Sequence, residues 1–309
     1  MKRMSKITNA VLAFALVSSV SVGMAFAEDQ KPAAEAPAAA AAPAAAAPAA
    51  APAEDKVTGS VGLGVFNKYI FRGYELSNNS AVIQPTATIN YKGFSATFWS
   101  NIDSSEHATQ NFTPDRPNQT SFNETDITLG YTYSIDKLSL TGGYIYYGIK
   151  YNSNAETQEL YLSATYDMIA HPTLAVYRDI ASFPGTYLNL SFSQSFPVIK
   201  MPNGDATIDL GAGFGYEIGS GNEWNTYSTT THAYTGSKYS APHDGNVKVG
   251  FTIPVTKIFS VQPVAQYWFP LSGDANKVIN DPHHGSFALN PNGQLRDIFV
   301  YGLNATLNF

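Results

Sequence analysis

The chain has 309 residues, no cysteine and a formal net charge of −6. The missing cysteine excludes disulfide bonds and lipoprotein-type lipid attachment, and the acidic balance argues against nucleic acid as a partner. Tyrosine occurs 19 times and phenylalanine 18 times, against five methionines. This usage favours β-structure with aromatic residues at membrane interfaces.

The first 27 residues have the features of a secretory signal peptide. Lys2, Arg3 and Lys6 form a basic start, an apolar segment runs from Ala10 to Met24, and Ala25-Phe26-Ala27 is a small-x-small cleavage site. Cleavage there removes three of the 18 basic residues and none of the 24 acidic ones, and leaves a net charge of −9. An uncleaved anchor is the alternative. The segment predicts an exported protein.

Residues 28–55 consist mainly of alanine and proline. Pro37, Pro43, Pro48 and Pro52 interrupt any helix that the alanines favour, so we predict a disordered, extended tether. It is either a passive spacer or a periplasmic arm that touches the cell wall or enters the fold from below.

From residue 56 to the end, apolar and polar residues alternate, which indicates strands with one apolar and one polar face. The last stretch is the clearest: every second residue from Phe299 to Phe309 is apolar, and the chain ends on an aromatic residue. It resembles the C-terminal assembly signal of bacterial outer-membrane β-barrels. The residues expected to carry that signal are Tyr301, Leu303, Leu307 and Phe309.

Counting these segments predicts twelve strands. They run from Val57 to Arg72, Ile83 to Tyr91, Phe94 to Asp103, Glu124 to Ser134, Leu138 to Tyr147, Leu160 to Tyr166, Thr173 to Ile180, Leu188 to Phe192, Ile208 to Tyr216, Val247 to Ile253, Phe259 to Phe269 and Asp297 to Phe309. Short turns alternate with long polar connections, among them Ser104 to Asn123 and Glu217 to Gly245. We therefore predict an all-β, up-and-down antiparallel transmembrane barrel over residues 56–309; a soluble sandwich is the alternative.

Outward aromatic residues sort into two predicted girdles. Tyr91, Phe94, Tyr133, Tyr166, Phe259 and Phe309 fall near the short turns. Tyr69, Phe71, Tyr144, Tyr146, Tyr216, Tyr267 and Tyr301 fall near the long loops.

Five short motifs in sequence resemble the TorF-type porin family of small outer-membrane barrels. They are Tyr69-Ile70-Phe71-Arg72-Gly73, the stretch from Phe98 to Asp103, Glu124-Thr125-Asp126 with Gly130-Tyr131, Tyr146-Tyr147, and Glu159. The resemblance covers the first six strands; beyond Tyr166 only the strand pattern and the final aromatic residue match. The long Ala/Pro tether and Lys68 depart from the family pattern. The resemblance implies a porin-like channel without naming a solute.

The predicted inward face is polar and small, and a twelve-stranded barrel is wide enough for a narrow channel. The expected pore-lining residues are Lys68, Arg72, Trp99, Asn101, Asp126, Glu159, Asp209 and Lys248. Lys68 and Arg72 fall at the top of the first strand and Lys248 at the top of the tenth, opposite Asp126 and Glu159, so we expect basic and acidic walls to face each other. In the alternative, Arg72 pairs with Glu159 or another carboxylate and braces a loop.

No catalytic constellation is found. All six histidines fall in predicted connections; His283 and His284 with Asp281 could ligate a metal, but adjacent histidines in a polar loop are more often solvated. We predict no metal, no cofactor and no enzymatic activity. The predicted function is passive diffusion of small polar solutes or ions across the bacterial outer membrane, with lipid and the barrel-assembly machinery as further partners. The alternatives are a structural or surface-binding barrel plugged by loops or tether and, last, an embedded enzyme.

Overall fold

The computed structural model describes residues 56–77, 80–106, 118–150, 156–228, 230–231, 233–280 and 297–309. The predicted signal peptide and tether lie outside these residues, and so do His107, His232, Asp281, His283 and His284. Within the described residues no helix is long and apolar enough to cross a membrane.

The described chain forms sixteen strands, one α-helix and one 3-10 turn. They are β1 (Thr58–Phe66), β2 (Ile70–Phe71), β3 (Tyr74–Glu75), β4 (Val82–Tyr91), β5 (Phe94–Asp103), β6 (Ser121–Ile135), β7 (Leu138–Ile149), β8 (Thr157–Tyr166), β9 (Thr173–Asp179), β10 (Gly185–Met201), β11 (Gly204–Gly219), the 3-10 turn (Asn222–Trp224), β12 (Asn225–Ser228), β13 (Ala233–Lys238), β14 (Ser240–Pro254), β15 (Phe259–Pro270), α1 (Gly273–Asn280) and β16 (Ile298–Asn308).

Twelve of these strands close an antiparallel barrel, as the sequence predicts. Each barrel strand pairs with the next one along the chain, while β2–β3 and β12–β13 form separate hairpins. β16 closes the barrel on β1, with Ser60 opposite Asn308 and Phe66 opposite Gly302. Gly59 and Phe309 extend this seam, since each donates its backbone N–H to the other's carbonyl at 2.9 Å. The alternation of short and long connections is not strict, because only residues 180–184 join β9 to β10 at the long-loop end.

The outer face of the barrel is apolar around its circumference. Exposed positions recur at every second residue, for example Val61, Leu63 and Val65 on β1 at 52, 46 and 43% exposure. Equivalent outward residues on other strands are Ile89, Phe98, Ile127, Leu129, Leu160, Leu162, Leu174, Leu190, Leu210, Phe214, Val247, Val249, Phe299 and Tyr301. A closed barrel with a lipid-compatible outer face and polar groups inside is the architecture of outer-membrane proteins. The protein is a bacterial outer-membrane β-barrel.

The first strand is shorter than predicted: it ends at Phe66, not at Arg72. Asn67 takes over the pairing with the upper part of β16. Its backbone N–H donates to the Tyr301 carbonyl (3.1 Å), its side-chain Oδ1 accepts from the Tyr301 N–H (2.8 Å), and its Nδ2 donates to the Phe299 carbonyl (3.3 Å). Because Asn67 satisfies these groups of β16, the chain can leave the wall and turn into the lumen. The placement of Tyr69 and Phe71 in the outer girdle is therefore wrong; Tyr69 is buried inside.

The predicted polar loop from Glu217 to Gly245 is wrong at both ends. β11 continues to Gly219 and β14 begins at Ser240, so both strands extend beyond their predicted ends. A bulge between Phe214 and Tyr216 shifts the pairing there, and Glu217, His243 and Asp244 are buried at this height. His243 accordingly lies within β14, not in a connection.

Candidate functional site in the barrel lumen

The lumen has two zones of different character. In the half near the short turns, small hydroxyl side chains bond across neighbouring strands: Thr88 to Thr97 (3.0 Å), Thr132 to Thr141 (2.8 Å) and Thr165 to Thr173 (2.9 Å). A methyl group on inward Gly62 or Gly211 would find no heavy atom nearer than 3.6 Å, so the lumen has room directly in front of these two positions. This zone is lined by small polar side chains.

The half near the long loops is filled by the first connection. Residues 68–77, here named the lumen hairpin, contain β2 and β3 and fold inside the barrel. Arg72 (φ 46°) and Gly73 (φ 79°) form its two-residue turn, and two successive left-handed residues are the geometry that favours a tight hairpin. Ile70 and Tyr74 are buried. The lumen is thus obstructed by a segment of its own chain.

Arg72 fixes the tip of the lumen hairpin to the wall. Its Nη1 and Nη2 each donate to a different oxygen of Glu159 on β8 at 2.7 Å, and the Tyr147 hydroxyl on β7 donates to the same carboxylate at 2.7 Å. The guanidinium lies 4.4 Å from the ring centre of Tyr187 and 5.0 Å from that of Tyr177. Burial by itself lowers the pKa of Arg72, but the charge and hydrogen bonds of Glu159, together with Tyr147 and Glu217, outweigh burial and raise that pKa well above its ordinary value.

The base of the lumen hairpin is closed by its own residues. Lys68 Nζ donates to Glu75 at 2.7 Å, Leu76 N–H donates to the Tyr69 carbonyl at 2.8 Å, and Tyr69 N–H donates to Ser77 Oγ at 2.9 Å. Burial raises the pKa of Glu75, and the bond from Lys68 offsets only part of that rise.

These positions correct the expected pattern of opposing charged walls. Lys68 and Arg72 are on the lumen hairpin rather than on a barrel strand, and both are paired with carboxylates. Lys248 lies inside β14, opposite Gly211 and Gln266, and so below the top of that strand. The alternative reading of Arg72, as a brace paired with Glu159, describes the observed contact.

The remaining expected pore-lining residues lie on inward positions. Trp99 is buried with its ring centre 5.4 Å from that of Tyr69. Asn101 accepts from Gln84 Nε2 (3.1 Å) and donates to Asn123 Oδ1 (2.8 Å). Asp126 is 1% exposed on β6. Asp209 lies lower, where it accepts from Thr207 (2.8 Å) and Gln262 (3.0 Å).

A second set of contacts holds the other side of the hairpin tip. The ring of Tyr74 lies 5.0 Å from that of His243, whose Nδ1 is 2.8 Å from the Tyr239 hydroxyl. The next residue, Asp244, accepts from the Tyr187 hydroxyl at 2.9 Å. The hairpin tip therefore contacts both β8 and β14.

A cavity of about 60 Å³ remains between the lumen hairpin and the wall. Among the described residues at its border, Arg72 is the one basic residue and four are acidic: Glu124, Glu159, Asp179 and Glu217. Sequence reasoning missed Asp179 and Glu217 as inward residues. Every second residue of β11 faces inward, so extending the pattern from Asp209 predicts that Glu217 also faces inward. On β9, Asp179 is two residues after the inward Tyr177 and faces the same way.

No family model matches the chain, and no curated protein is significantly similar to it. Among solved structures, a KdgM porin is similar over 81% of this chain and 99% of its own, with a TM-score of 0.46 and 10% identity. A NanC porin is similar over 82% of this chain and 99% of its own, with a TM-score of 0.43 and 9% identity. LpxR from Salmonella typhimurium is similar over 80% of this chain and 99% of its own, with a TM-score of 0.41 and 10% identity. With TM-scores below 0.5, these similarities add nothing to what the barrel itself shows.

Proposed function

We propose that the protein is a porin-like channel for passive diffusion of small polar solutes or ions, and that the lumen hairpin forms its narrowest part. The observation that carries the proposal is the two-zone lumen. Small polar side chains line the half near the short turns, and one short hairpin obstructs the half near the long loops. A polar lining below a single hairpin suits a water-filled path that narrows at the hairpin.

The contacts of the lumen hairpin suit a constriction that limits solute size. Its tip is held by polar bonds to β8, and its base by its own ion pair and backbone bonds. A solute passing beside it would meet the cavity at Arg72 and the surrounding carboxylates before it reaches the polar half near the short turns. Charged groups at a constriction act on ions more strongly than charges along a wide pore.

The TorF-type resemblance is part of the proposal. The quoted motifs come from distant parts of the sequence, yet several of their residues touch in the lumen: Tyr69 packs on Trp99, and Arg72 and Tyr147 share Glu159. The residues of these motifs meet at the proposed constriction, as expected if the motifs serve a common channel function.

We further propose a cleaved signal peptide over residues 1–27, a tether over 28–55 and insertion through the barrel-assembly machinery. The proposal assigns the barrel no cofactor and no catalytic role.

One observation favours a second candidate, a non-conducting structural barrel. Tyr69, Ile70 and Val82 form a buried apolar cluster inside the long-loop half with Trp268 and Val300, as a permanent plug would. The two candidates differ in a planar lipid bilayer. The proposed channel gives discrete, long-lived current steps, whereas correctly folded protein that leaves the bilayer silent supports the plug.

A further inference from the structure

A charged side chain lies on the outer, lipid-facing side of β9. Arg178 is exposed there, on the same face of the strand as Leu174, which is 52% exposed. The residues on either side of it, Tyr177 and Asp179, point into the barrel and are buried. A charge that faces lipid is most unfavourable at the middle of the membrane and least unfavourable at its polar interface. The height of Arg178 along the strand therefore decides what surrounds it.

Arg178 lies at the height of the aromatic girdle near the long loops. Strand pairing places it opposite Leu160 on β8, and Leu160 opposite Tyr144 on β7. Tyrosine is enriched where the membrane core meets the headgroups. β9 ends one residue beyond Arg178, at Asp179. The guanidinium is thus among the lipid headgroups of the outer leaflet.

No carboxylate neutralises Arg178 within the part of the chain that the structure describes. Its Nη1 donates to Thr186 Oγ1 on β10 at 3.1 Å, which is the one hydrogen bond of the guanidinium to a described residue. A guanidinium carries five N–H donors, so several donors remain for a partner outside the protein. The Thr186 hydroxyl accepts from Arg178 and still has its own proton to donate. Donors of two neighbouring residues are therefore available to an anion.

We propose that Arg178 and Thr186 bind the phosphate group of a lipid headgroup in the outer leaflet. The planar guanidinium can donate two parallel hydrogen bonds to a phosphate. Leu160 and Leu174, 51 and 52% exposed, offer an apolar surface to the acyl chains of the same lipid, which a free phosphate ion would leave unused. The site goes beyond the proposed function, because it lies outside the lumen and is the same in a conducting or a plugged barrel.

The test is a lipid titration of the folded full-length protein in detergent, with native mass spectrometry to count the bound lipids. The probe is phosphatidic acid, and the reference is diacylglycerol with the same acyl chains, which differs only in lacking the phosphate. We expect diacylglycerol to bind at least about fivefold more weakly. Arg178→Gln should weaken phosphatidic acid binding about fivefold, roughly 1 kcal/mol. Arg178→Lys keeps the charge but loses the planar fork, and its affinity should lie between the two.

Lys200→Gln is the matched control. It removes one positive charge from an exposed side chain at the short-turn end and should leave phosphatidic acid binding unchanged. Thr186→Val removes the hydroxyl without changing any charge and should weaken binding less than Arg178→Gln does. It tests the same site if Arg178→Gln fails to fold, which heat-modifiable gel mobility reports.

Equal binding of phosphatidic acid and diacylglycerol would overturn the inference, and so would an Arg178→Gln variant that binds phosphatidic acid like the original protein. Inorganic phosphate that displaces phosphatidic acid at equal concentration would also overturn it, because the site would then take a free anion. A dimer that Arg178→Gln abolishes would instead assign Arg178 to a contact between two copies. The channel proposal is tested separately by bilayer currents, so either proposal can fail without the other.

Discussion

The guanidinium of Arg72 and the carboxylate of Glu159 form two parallel 2.7 Å hydrogen bonds between residues that are 87 positions apart in the chain. Arg72 is at the turn of the lumen hairpin and Glu159 is on the inward face of β8. A bidentate pair of this kind is among the stronger contacts between side chains and fixes orientation as well as distance. It joins the obstruction in the lumen directly to the barrel wall.

Removing one member of this pair should release the lumen hairpin. Arg72→Ala leaves Glu159 buried without its counter-charge, and breaking a buried pair from one side costs about 3 to 5 kcal/mol. We expect larger or noisier single-channel currents in a planar bilayer, while the barrel itself stays folded by heat-modifiable gel mobility.

The double variant Arg72→Ala with Glu159→Gln is the control, because it also removes the Glu159 charge that Arg72→Ala leaves unpaired. It should recover part of the lost stability but keep the larger current, because the contact to the wall is still absent. Currents from Arg72→Ala that match the original protein in size and noise would show that the pair does not hold the constriction.

Asn67 should stabilise the seam between β1 and β16. Asn67→Ala removes two side-chain hydrogen bonds to the backbone of β16, worth about 1 to 3 kcal/mol together. We expect a lower temperature for the loss of heat-modifiable mobility. Asn67→Asp keeps an acceptor for the Tyr301 N–H but has no donor for the Phe299 carbonyl, and its midpoint should lie between the other two. Equal midpoints for all three proteins would mean that β16 does not depend on these bonds.

The closing strand should tolerate charge on one face only. Leu303 faces lipid, and an arginine there costs about 2 to 4 kcal/mol if it lies near the membrane midplane; Thr306→Arg places the same charge toward the lumen. We expect Leu303→Arg to reduce the amount of folded barrel in the outer membrane and Thr306→Arg to have little effect. Tyr301→Arg should have the same effect as Leu303→Arg. Normal amounts of the folded Leu303→Arg variant would reject the assigned faces.

Deleting Phe309 removes its two backbone hydrogen bonds with Gly59 and should slow assembly of the barrel.

The current should depend on pH through Glu75. Burial raises the pKa of Glu75, so the buried lumen hairpin favours the protonated carboxyl. The protonated Glu75 carboxyl therefore stabilises the hairpin fully when the pH is below the ordinary carboxyl pKa. This stabilisation is lost as the pH rises through the raised pKa of Glu75. Lys68 keeps 26% of its side chain exposed, which lets it remain solvated. We expect conductance to fall as the pH is lowered through this window, and Glu75→Gln to weaken that dependence. If the conductance of Glu75→Gln depends on pH in the same way as that of the original protein, Glu75 is not the group that causes the dependence.

The barrel could be predicted from the sequence because its lipid-facing pattern is local. Residues such as Val61, Leu129 and Leu303 alternate with small polar ones, and that period predicts the twelve barrel strands and the outward face of these residues. The lumen hairpin could not be predicted in this way. Tyr69 and Phe71 continue the apolar alternation of β1, yet contacts of Asn67 with β16, of Tyr69 with Trp99 and of Arg72 with Glu159 hold this segment inside the lumen. These contacts join positions far apart in the chain, which a local pattern does not record.

The central claim is that solutes cross the lumen beside residues 68–77, and one measurement tests it most directly. The lumen hairpin is replaced by a short Gly-Ser linker, and the single-channel conductance of this variant is compared with that of the original protein under identical salt. We expect discrete steps from both proteins, with a severalfold larger conductance and admission of larger uncharged solutes in the variant. If the folded variant conducts no better than the original protein, or if both leave the bilayer silent, the lumen hairpin is not the constriction of a channel.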